Sequence, residues 1–227
     1  MVNAVVFGAS GGLATALAHR MLHRGVTVDL VTRSSRRESL ARQFADGQQP
    51  RTFAVEEKYS EFEAAQPYDA YFFTQALFEP RPLTEMSEER IASEIEIGLA
   101  EPLLLTRRLL AAHPPEPGKR RDYCYIGSTS AYTGFKNTSV YCAVKHGLLG
   151  FVRAMNDEYA QSDARFWLFS MGTMNTEMGA RLTGQDASSF LQPEDVAERI
   201  VQAVFAPSNL FEPEVLIRRR TIRFLEK

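Results

Sequence analysis

The most constraining feature of this sequence is a strand, a glycine-rich turn, a helix and a second strand within its first 32 residues. Residues 2–7 are nearly all apolar and rich in valine, which predicts a buried β-strand. A glycine cluster at 8–12 leads into residues 13–24, where leucine, methionine and alanine recur on one helical face. Residues 26–32 predict the second strand. Two strands joined by a helix pair in parallel through a right-handed crossover.

The same alternation continues along the chain. Five further strands are predicted over residues 52–55, 69–73, 123–126, 166–169 and 215–217. Helices are predicted over residues 86–113 (interrupted at Gly98 and Pro102), 139–159 and 193–205. Strands that alternate with helices predict an α/β fold with a doubly wound parallel sheet of about seven strands. We expect residues 1–227 to form a single domain, with a substrate lid at about 173–192.

Composition excludes several classes of partner. The chain has 44% hydrophobic residues, 24% charged residues and a net charge of −2, without the basic surplus typical of nucleic-acid binding. No apolar run reaches the roughly 18 residues of a membrane helix, and no basic leader precedes the first strand. Cys124 and Cys142 form no metal or disulfide pattern, so we expect buried, reduced thiols, no metal site and a cytoplasmic protein.

The first glycine turn is a candidate phosphate site. Between a strand and a helix, such glycines let backbone amides approach a pyrophosphate, and the helix N-terminus adds partial positive charge. A tight turn without any ligand is the alternative explanation of the same pattern. The candidate cofactor-binding residues here are Gly8, Ser10, Gly11, Gly12 and Leu13.

Tyr141 and Lys145 stand four residues apart, on one face of a predicted helix. A phenol has a pKa near 10, and a neighbouring ammonium that favours the phenolate makes it a usable acid or base. Taken alone, the pair is explained first as two ordinary surface residues.

Taken together, these motifs resemble the short-chain dehydrogenase/reductase family over nearly the whole chain. Its glycine turn is matched by residues 7–14, and its Tyr-x-x-x-Lys motif by Tyr141 and Lys145. Its serine, 13 residues before the tyrosine, is matched by Ser128. The segment after its sixth strand is matched by Met171, Gly172 and Thr176, and the start of its late helix by residues 193–197.

The resemblance implies a three-layer Rossmann fold and a carbonyl/alcohol oxidoreductase. Tyr141 would exchange a proton with the substrate oxygen, Ser128 would hold that oxygen, and Lys145 would lower the pKa of Tyr141 and bind the ribose. Family members commonly form dimers or tetramers through helices four and five, so we expect a homodimer or homotetramer. The resemblance places the cofactor against Gln75, Ala76, Tyr141, Lys145, Gly172 and Thr176 as well as the glycine turn.

Four departures from the family pattern stand out. Ala14 replaces the last glycine, Met171 replaces a proline, and residues 74–77 keep only one alanine of an Asn-Asn-Ala-Gly segment. Gly98 stands where the family has the asparagine of its proton relay. These changes leave open a second hypothesis, a catalytically weak NADP(H)-binding sensor or partner protein. For an enzyme, we expect a kink and a small void at Gly98, with an ordered water joining its carbonyl to Lys145.

Cofactor choice is decided at the end of the second strand. An acid there accepts from the 2′-hydroxyl of NAD, whereas an arginine accommodates the 2′-phosphate of NADP. This chain has Thr32 in place of the acid, followed by Arg33 and Ser34. A solvated basic loop is the alternative for Arg33 and Ser34, and we expect it for the arginines at 36 and 37. The sequence therefore predicts NADP(H) rather than NAD(H).

The substrate pocket is expected beside Ser130, Tyr132 and Phe135, under an apolar lid. Arg181 is the lid residue that would meet a carboxylate or phosphate, and the lid's apolar residues are Met174, Met178, Leu182 and Phe190. His19 and His23, four residues apart, are expected on the surface rather than at a metal. Other surface expectations are a charged tail formed by Arg218, Arg219, Arg220 and Arg223, and an outward oligomer face formed by Leu149, Val152 and Met155.

Overall fold

The structure, a computed structural model, describes residues 2–45, 47–182, 184–206 and 210–224. Within these ranges seven strands form one parallel sheet in the order β3-β2-β1-β4-β5-β6-β7. The strands are β1 (Asn3–Phe7), β2 (Thr27–Thr32), β3 (Thr52–Val55), β4 (Ala70–Phe73), β5 (Arg121–Ile126), β6 (Ala164–Met171) and β7 (Glu214–Ile217). The predicted doubly wound sheet is confirmed, with strand ends shifted by a few residues.

Helices cover both faces of the sheet. They are α1 (Gly12–His23), α2 (Arg37–Gln43), α3 (Glu88–Ile95), α4 (Glu101–Ala112), α5 (Ser139–Glu158) and α6 (Pro193–Phe205), with a π-helical turn at Glu96–Ala100. α1 and α6 pack on one face, and α4 and α5 on the other. The sequence did not predict α2, because Leu40 is its only buried residue and one apolar anchor makes no periodic stripe.

Alternation along the strands supplies two separate cores. In β1, Ala4 and Val6 face the α1/α6 layer, while Val5 and Phe7 face the α4/α5 layer. Successive strand residues point to opposite faces, so a strand buried on both faces reads as an unbroken apolar run. Burying each such large side chain contributes about 1.5–3 kcal/mol.

The outward oligomer face expected on α5 is wrong. Leu149, Val152 and Met155 are buried in the core between α5 and the sheet. A helix in a layered fold turns its most apolar stripe toward the sheet. These three residues belong to that stripe.

β5 begins two residues earlier than predicted, because its first two residues are polar and the prediction followed the apolar run. Asp122 is buried, and its carboxylate accepts from Nε of Arg165 and Nε1 of Trp167, both at 2.7 Å. Buried charge is tolerated when it is paired and hydrogen-bonded. The pairing is made across strands, so local sequence gives no sign of it.

The strand order reverses between β1 and β4. In open α/β sheets a crevice forms at the carboxyl ends of the strands where the order reverses, and ligands bind there. Thr74, directly after β4, closes the base of this crevice by donating from its hydroxyl to the Phe7 carbonyl at 2.6 Å.

Candidate active site

The glycine turn after β1 is pressed against the loop after β4. Gly8 has a φ of 76°, and its amide donates to the Val31 carbonyl at 3.1 Å. A Cβ atom on Gly8 would lie 2.8 Å from the backbone nitrogen of Gln75. Because side chains rarely adopt this φ and no room exists for one, only glycine fits here. The turn therefore lies in the β1/β4 crevice.

The N-terminus of α1 opens into the same crevice. No side chain caps it, and its first turn carries no acidic residue. Thr176 comes close, since its Cγ2 would lie 3.0 Å from a Cβ on Gly12. Ser10 is half-buried, and the Leu13 side chain packs into the core, so Leu13 would meet a ligand only through its backbone. An uncapped helix N-terminus is a ready anion site.

Gln75 has a buried side-chain amide in this crevice, and neither amide atom has a hydrogen-bond partner among the described residues. Leaving a buried amide unpaired costs about 1–3 kcal/mol, which a polar ligand would offset. Ala76 is half-buried beside it. The glycine turn, the helix terminus and Gln75 together fit a nicotinamide dinucleotide.

An acidic residue that the sequence analysis did not identify, Glu57, lies beside the end of β2. Arg33 is half-buried and Ser34 is exposed. The Ser34 amide donates to Oε1 of Glu57 at 3.2 Å. Hydrogen bonds from Ser34 hold the pKa of Glu57 below its usual value, and Arg33 adds to the effect. Glu57 lies after β3, and only the pairing of β3 with β2 brings it here.

The three predicted catalytic residues meet where β5 ends and α5 begins. Ser128 follows β5 by two residues, Tyr141 lies in the first turn of α5, and Lys145 lies one turn later. Nζ of Lys145 is buried, donates to the Ile126 carbonyl at 2.7 Å and lies 5.5 Å from the centroid of the Tyr141 ring. The Tyr141 ring packs edge-on against Phe78.

Burial shifts both titratable groups of this cluster. It raises the pKa of Tyr141 to about 12, although a hydrogen bond with Ser128 opposes the shift. The expected lowering of this pKa by Lys145 is therefore not found. The buried Glu94 carboxyl adds a smaller increase to this pKa. Burial also lowers the pKa of Lys145 to about 8. At neutral pH, Tyr141 is therefore a protonated phenol beside a cationic lysine.

A π-helical turn lies between α3 and α4 at Gly98, where the kink was predicted. The predicted void is wrong. A Cβ on Gly98 would lie 2.7 Å from Cγ1 of Val144, so Val144 of α5 fills that space. A side chain at residue 98 would require Val144 to shift, so glycine permits the close approach of this turn to α5. The ordered water between the Gly98 carbonyl and Lys145 stays a prediction.

Ser128 and Tyr141 lie on the wall of a cavity of about 780 Å³ at the carboxyl ends of β5, β6 and β7. Gly172 and Thr176 also line it. The other predicted pocket residues on its wall are Ser130, Tyr132, Phe135, Met174, Met178 and Leu182. One residue of the predicted lid, Thr183, lies outside the described residues.

One lid expectation is wrong. Arg181 does not line the cavity; it donates to the Phe78 carbonyl at 2.9 Å and lies 3.7 Å from a Glu177 oxygen. Phe190, one of the predicted apolar lid residues, is buried, and the Arg219 guanidinium covers its ring. The parallel bridge between Met174 and Leu191 ties the two ends of the lid together and turns Phe190 inward.

The charged tail expected after β7 is also corrected in part. Arg218 and Arg219 line the cavity, together with Ile222 and Phe224. Phe224 forms an antiparallel bridge with Gln185 of the lid, so this segment closes the cavity instead of extending into solvent. A run of consecutive arginines does not indicate, from the sequence alone, which side chain faces the cavity.

The described residues contain no group of three or more histidines, cysteines or acids placed to hold a metal ion. His23 is exposed, whereas His19 is half-buried and stacks on Phe44 with ring centroids 4.3 Å apart. Cys124 and Cys142 are buried and unpaired. In the ranges that the structure covers, no helix is long and apolar enough to cross a membrane.

Comparison with known families decides the affiliation of the chain. A family model described as enoyl-(acyl carrier protein) reductase matches residues 8–204, which includes the glycine turn and the Ser128, Tyr141 and Lys145 positions. The chain belongs to the short-chain dehydrogenase/reductase family. It is therefore an oxidoreductase-family protein with a Rossmann fold.

Individual relatives are distant. An uncharacterised oxidoreductase of Staphylococcus saprophyticus is 25% identical over 95% of this chain and 96% of its own length. A sepiapterin reductase of Chlorobaculum tepidum is 26% identical over 60% of this chain, and the match spans 55% of that protein. The solved alcohol dehydrogenase of Thermococcus sibiricus, complexed with 5-hydroxy-NADP, superposes with a TM-score of 0.82, 22% identity and 97% coverage of both chains.

Proposed function

We propose that this short-chain dehydrogenase/reductase is an NADP(H)-dependent oxidoreductase, acting as a reductase, that interconverts a carbonyl and an alcohol on a small organic molecule. The observation that carries the proposal is the cluster of Ser128, Tyr141 and the buried Lys145, of which the first two line the cavity. The cluster lies at the carboxyl ends of the strands, as does the Gly8 turn after β1. A bare nucleotide-binding module needs no such cluster.

The cluster suits general acid catalysis. NADPH, when bound, supplies the hydride that reduces the carbonyl carbon. The Ser128 and Tyr141 hydroxyls donate hydrogen bonds to the carbonyl oxygen and orient it. The Tyr141 proton moves to that oxygen as negative charge develops on it, and the Lys145 ammonium stabilises the resulting tyrosinate. In the oxidative direction the same proton returns to Tyr141.

NADPH oxidation against a panel of ketones and aldehydes tests this function. Tyr141-dependent turnover would support the enzyme. Tight NADPH binding without turnover on any member of the panel would instead favour the sensor or partner protein, for which Gly98 at the relay position is the specific argument. NADPH fluorescence measures cofactor binding. It therefore distinguishes a protein that binds NADPH without turnover from one that does not bind NADPH.

Arg33 is expected to select NADPH. Its guanidinium offers a planar fork to the 2′-phosphate, and charge-assisted hydrogen bonds contribute about 1.5–3 kcal/mol. Arg33→Ala should weaken NADPH binding by about 10- to 150-fold and leave NADH binding nearly unchanged. Titration of both cofactors against wild type and variant measures this. Equal losses for the two cofactors would contradict the assignment.

Glu57→Gln should change the cofactor preference in the opposite direction from Arg33→Ala. It removes a negative charge beside Ser34 and Arg33 while keeping a hydrogen-bond acceptor for the Ser34 amide. The ratio of NADPH to NADH affinity should therefore rise.

We also propose a homodimer or homotetramer of single-domain chains in the reducing cytoplasm. Leu104 on α4 is half exposed, and Ala143, Gly150 and Ala154 form an exposed, small-residue face on α5 that permits close approach. The two unpaired cysteines suit a reducing compartment. Light scattering at micromolar concentration should give the mass of two or four chains. The mass of one chain would contradict the assembly.

A further inference from the structure

The cavity is cationic although the chain is not. Its described lining includes Lys136, Arg218 and Arg219, and it includes no aspartate or glutamate. The chain as a whole carries a net charge of −2. A cleft lined by one sign of charge concentrates ligands of the opposite sign.

Arg219 is held on the wall of this cavity. The Gly172 amide, at the end of β6, donates to the Ile217 carbonyl at 3.0 Å, which brings the residues after β7 against Gly172. A Cβ on Gly172 would lie 3.8 Å from Nε of Arg219. The guanidinium carbon lies 5.5 Å from the centroid of the Phe190 ring, and Nη1 lies 3.4 Å from Oγ of Ser189. Arg219 is thus half-buried and positioned by an aromatic ring.

Arg219 has no counter-ion inside the described part of the protein, where no carboxylate lies within 4.0 Å of it. Glu214, the acid on β7, has other partners, since it pairs with Arg153 at 2.6 Å and accepts from the Tyr132 hydroxyl at 2.9 Å. Partial burial without an anion lowers the pKa of the guanidinium. A bound anion would offset this desolvation and satisfy the unused donors.

We propose that the substrate is an oxo acid whose ketone lies at Ser128 and Tyr141 and whose carboxylate pairs with Arg219. The proposal rests on the carbonyl reductase function proposed above. β5 and β7 are two strand spacings apart, about 10 Å, and the side chains of Tyr141 and Arg219 both line the cavity between them. A few bonds therefore separate the ketone from the carboxylate. Met174, Met178, Leu182 and Ile222 would contact the apolar body between them.

The cofactor phosphates are the competing occupant of Arg219. The glycine turn that suits the pyrophosphate follows β1, four strand spacings from β7, or about 19 Å. This separation favours the substrate. It also makes the two occupants separable, because only a cofactor contact would change NADPH affinity when Arg219 is replaced.

The test compares acids with their neutral esters. Benzoylpropionate and levulinate are each assayed beside their methyl esters, and dihydroxyacetone phosphate beside dihydroxyacetone distinguishes a phosphate from a carboxylate. Wild type should reduce the acids with a kcat/KM about 10- to 100-fold above the esters. Arg219→Ala should remove that preference by lowering kcat/KM for the acids and not for the esters. Arg219→Lys should retain part of the preference. The control is Arg220→Ala, at an exposed position off the cavity, which should leave both series unchanged.

Equal loss on acids and esters, or no preference in wild type, would overturn the inference while leaving the reductase function in place. So would a preference confined to the phosphate pair, or a fall in NADPH affinity as the only effect of Arg219→Ala. If no compound is reduced, the proposed function fails, and calorimetry on the NADP complex decides the inference separately. Benzoylpropionate that binds more tightly than its ester, and only with Arg219 present, supports it; equal or absent binding overturns it.

Discussion

Replacing Tyr141 with phenylalanine is expected to lower kcat/KM for NADPH-dependent ketone reduction by about 10²- to 10⁴-fold, the usual contribution of a general acid. NADPH affinity should change little, because the ring that packs on Phe78 is retained. Only the hydroxyl that carries the transferred proton is lost. Steady-state kinetics with a ketone from the panel, together with NADPH titration, measure both quantities.

Tyr132→Phe is the matched comparison. It removes a hydroxyl from the same cavity, but that hydroxyl donates to Glu214 and lies outside the catalytic cluster. Its effect on kcat/KM should be far smaller than that of Tyr141→Phe. Similar effects from the two variants, or near-wild-type turnover after Tyr141→Phe, would remove Tyr141 from the mechanism.

Replacing Lys145 with methionine is expected to have two opposite effects. Turnover should fall by more than about 100-fold, because the tyrosinate loses its cationic partner. The free energy of unfolding of the cofactor-free protein should rise at pH 7. Burial lowers the pKa of Lys145 from 10.5 to about 8, which corresponds to about 3 kcal/mol spent on keeping the ammonium in the fold. Loss of the hydrogen bond to the Ile126 carbonyl offsets about 1 kcal/mol of the gain.

The difference in unfolding free energy between wild type and Lys145→Met should depend on pH, because the fold lowers the pKa of Lys145. Below pH 8 the lysine is protonated in both the folded and the unfolded state, so the full cost is present and the variant is more stable. Between about pH 8 and pH 10.5 the folded state releases its proton first, and the wild type gains stability as pH rises. The gap between the two proteins should therefore shrink over that range.

Urea unfolding of both proteins at a series of pH values measures the gap. Lys136→Met is the control, since Lys136 is exposed and its replacement relieves no burial. A Lys145→Met variant that is less stable than wild type at pH 7, or a gap that does not change with pH, would contradict the buried-ammonium account.

Local sequence was sufficient for most of the fold. The apolar runs, the glycine turn and the proline that begins α6 act within a few residues, so they predicted the order of strands and helices and the approximate strand ends. Ser128, Tyr141 and Lys145 were also accessible, because they lie within 18 residues of one another and their spacing follows one strand end and one helix face.

The remaining features depend on neighbours that are distant in sequence. Local spacing suggested an open face at Leu149, a void at Gly98 and a solvated tail at Arg219, and packing decided otherwise in each case. Likewise, Glu57 reaches Ser34 only because β3 pairs with β2.

The physical reason is the range over which each interaction acts. Periodicity and backbone preference are local and are written in consecutive residues. The direction a helix or a charged segment faces is set by which surface of the sheet it covers, and that surface is assembled from strands far apart in the chain. The sequence by itself therefore predicted the succession of strands and helices and the acid–base candidates, whereas only the tertiary structure decided the order of the strands in the sheet and which charges line the cavity.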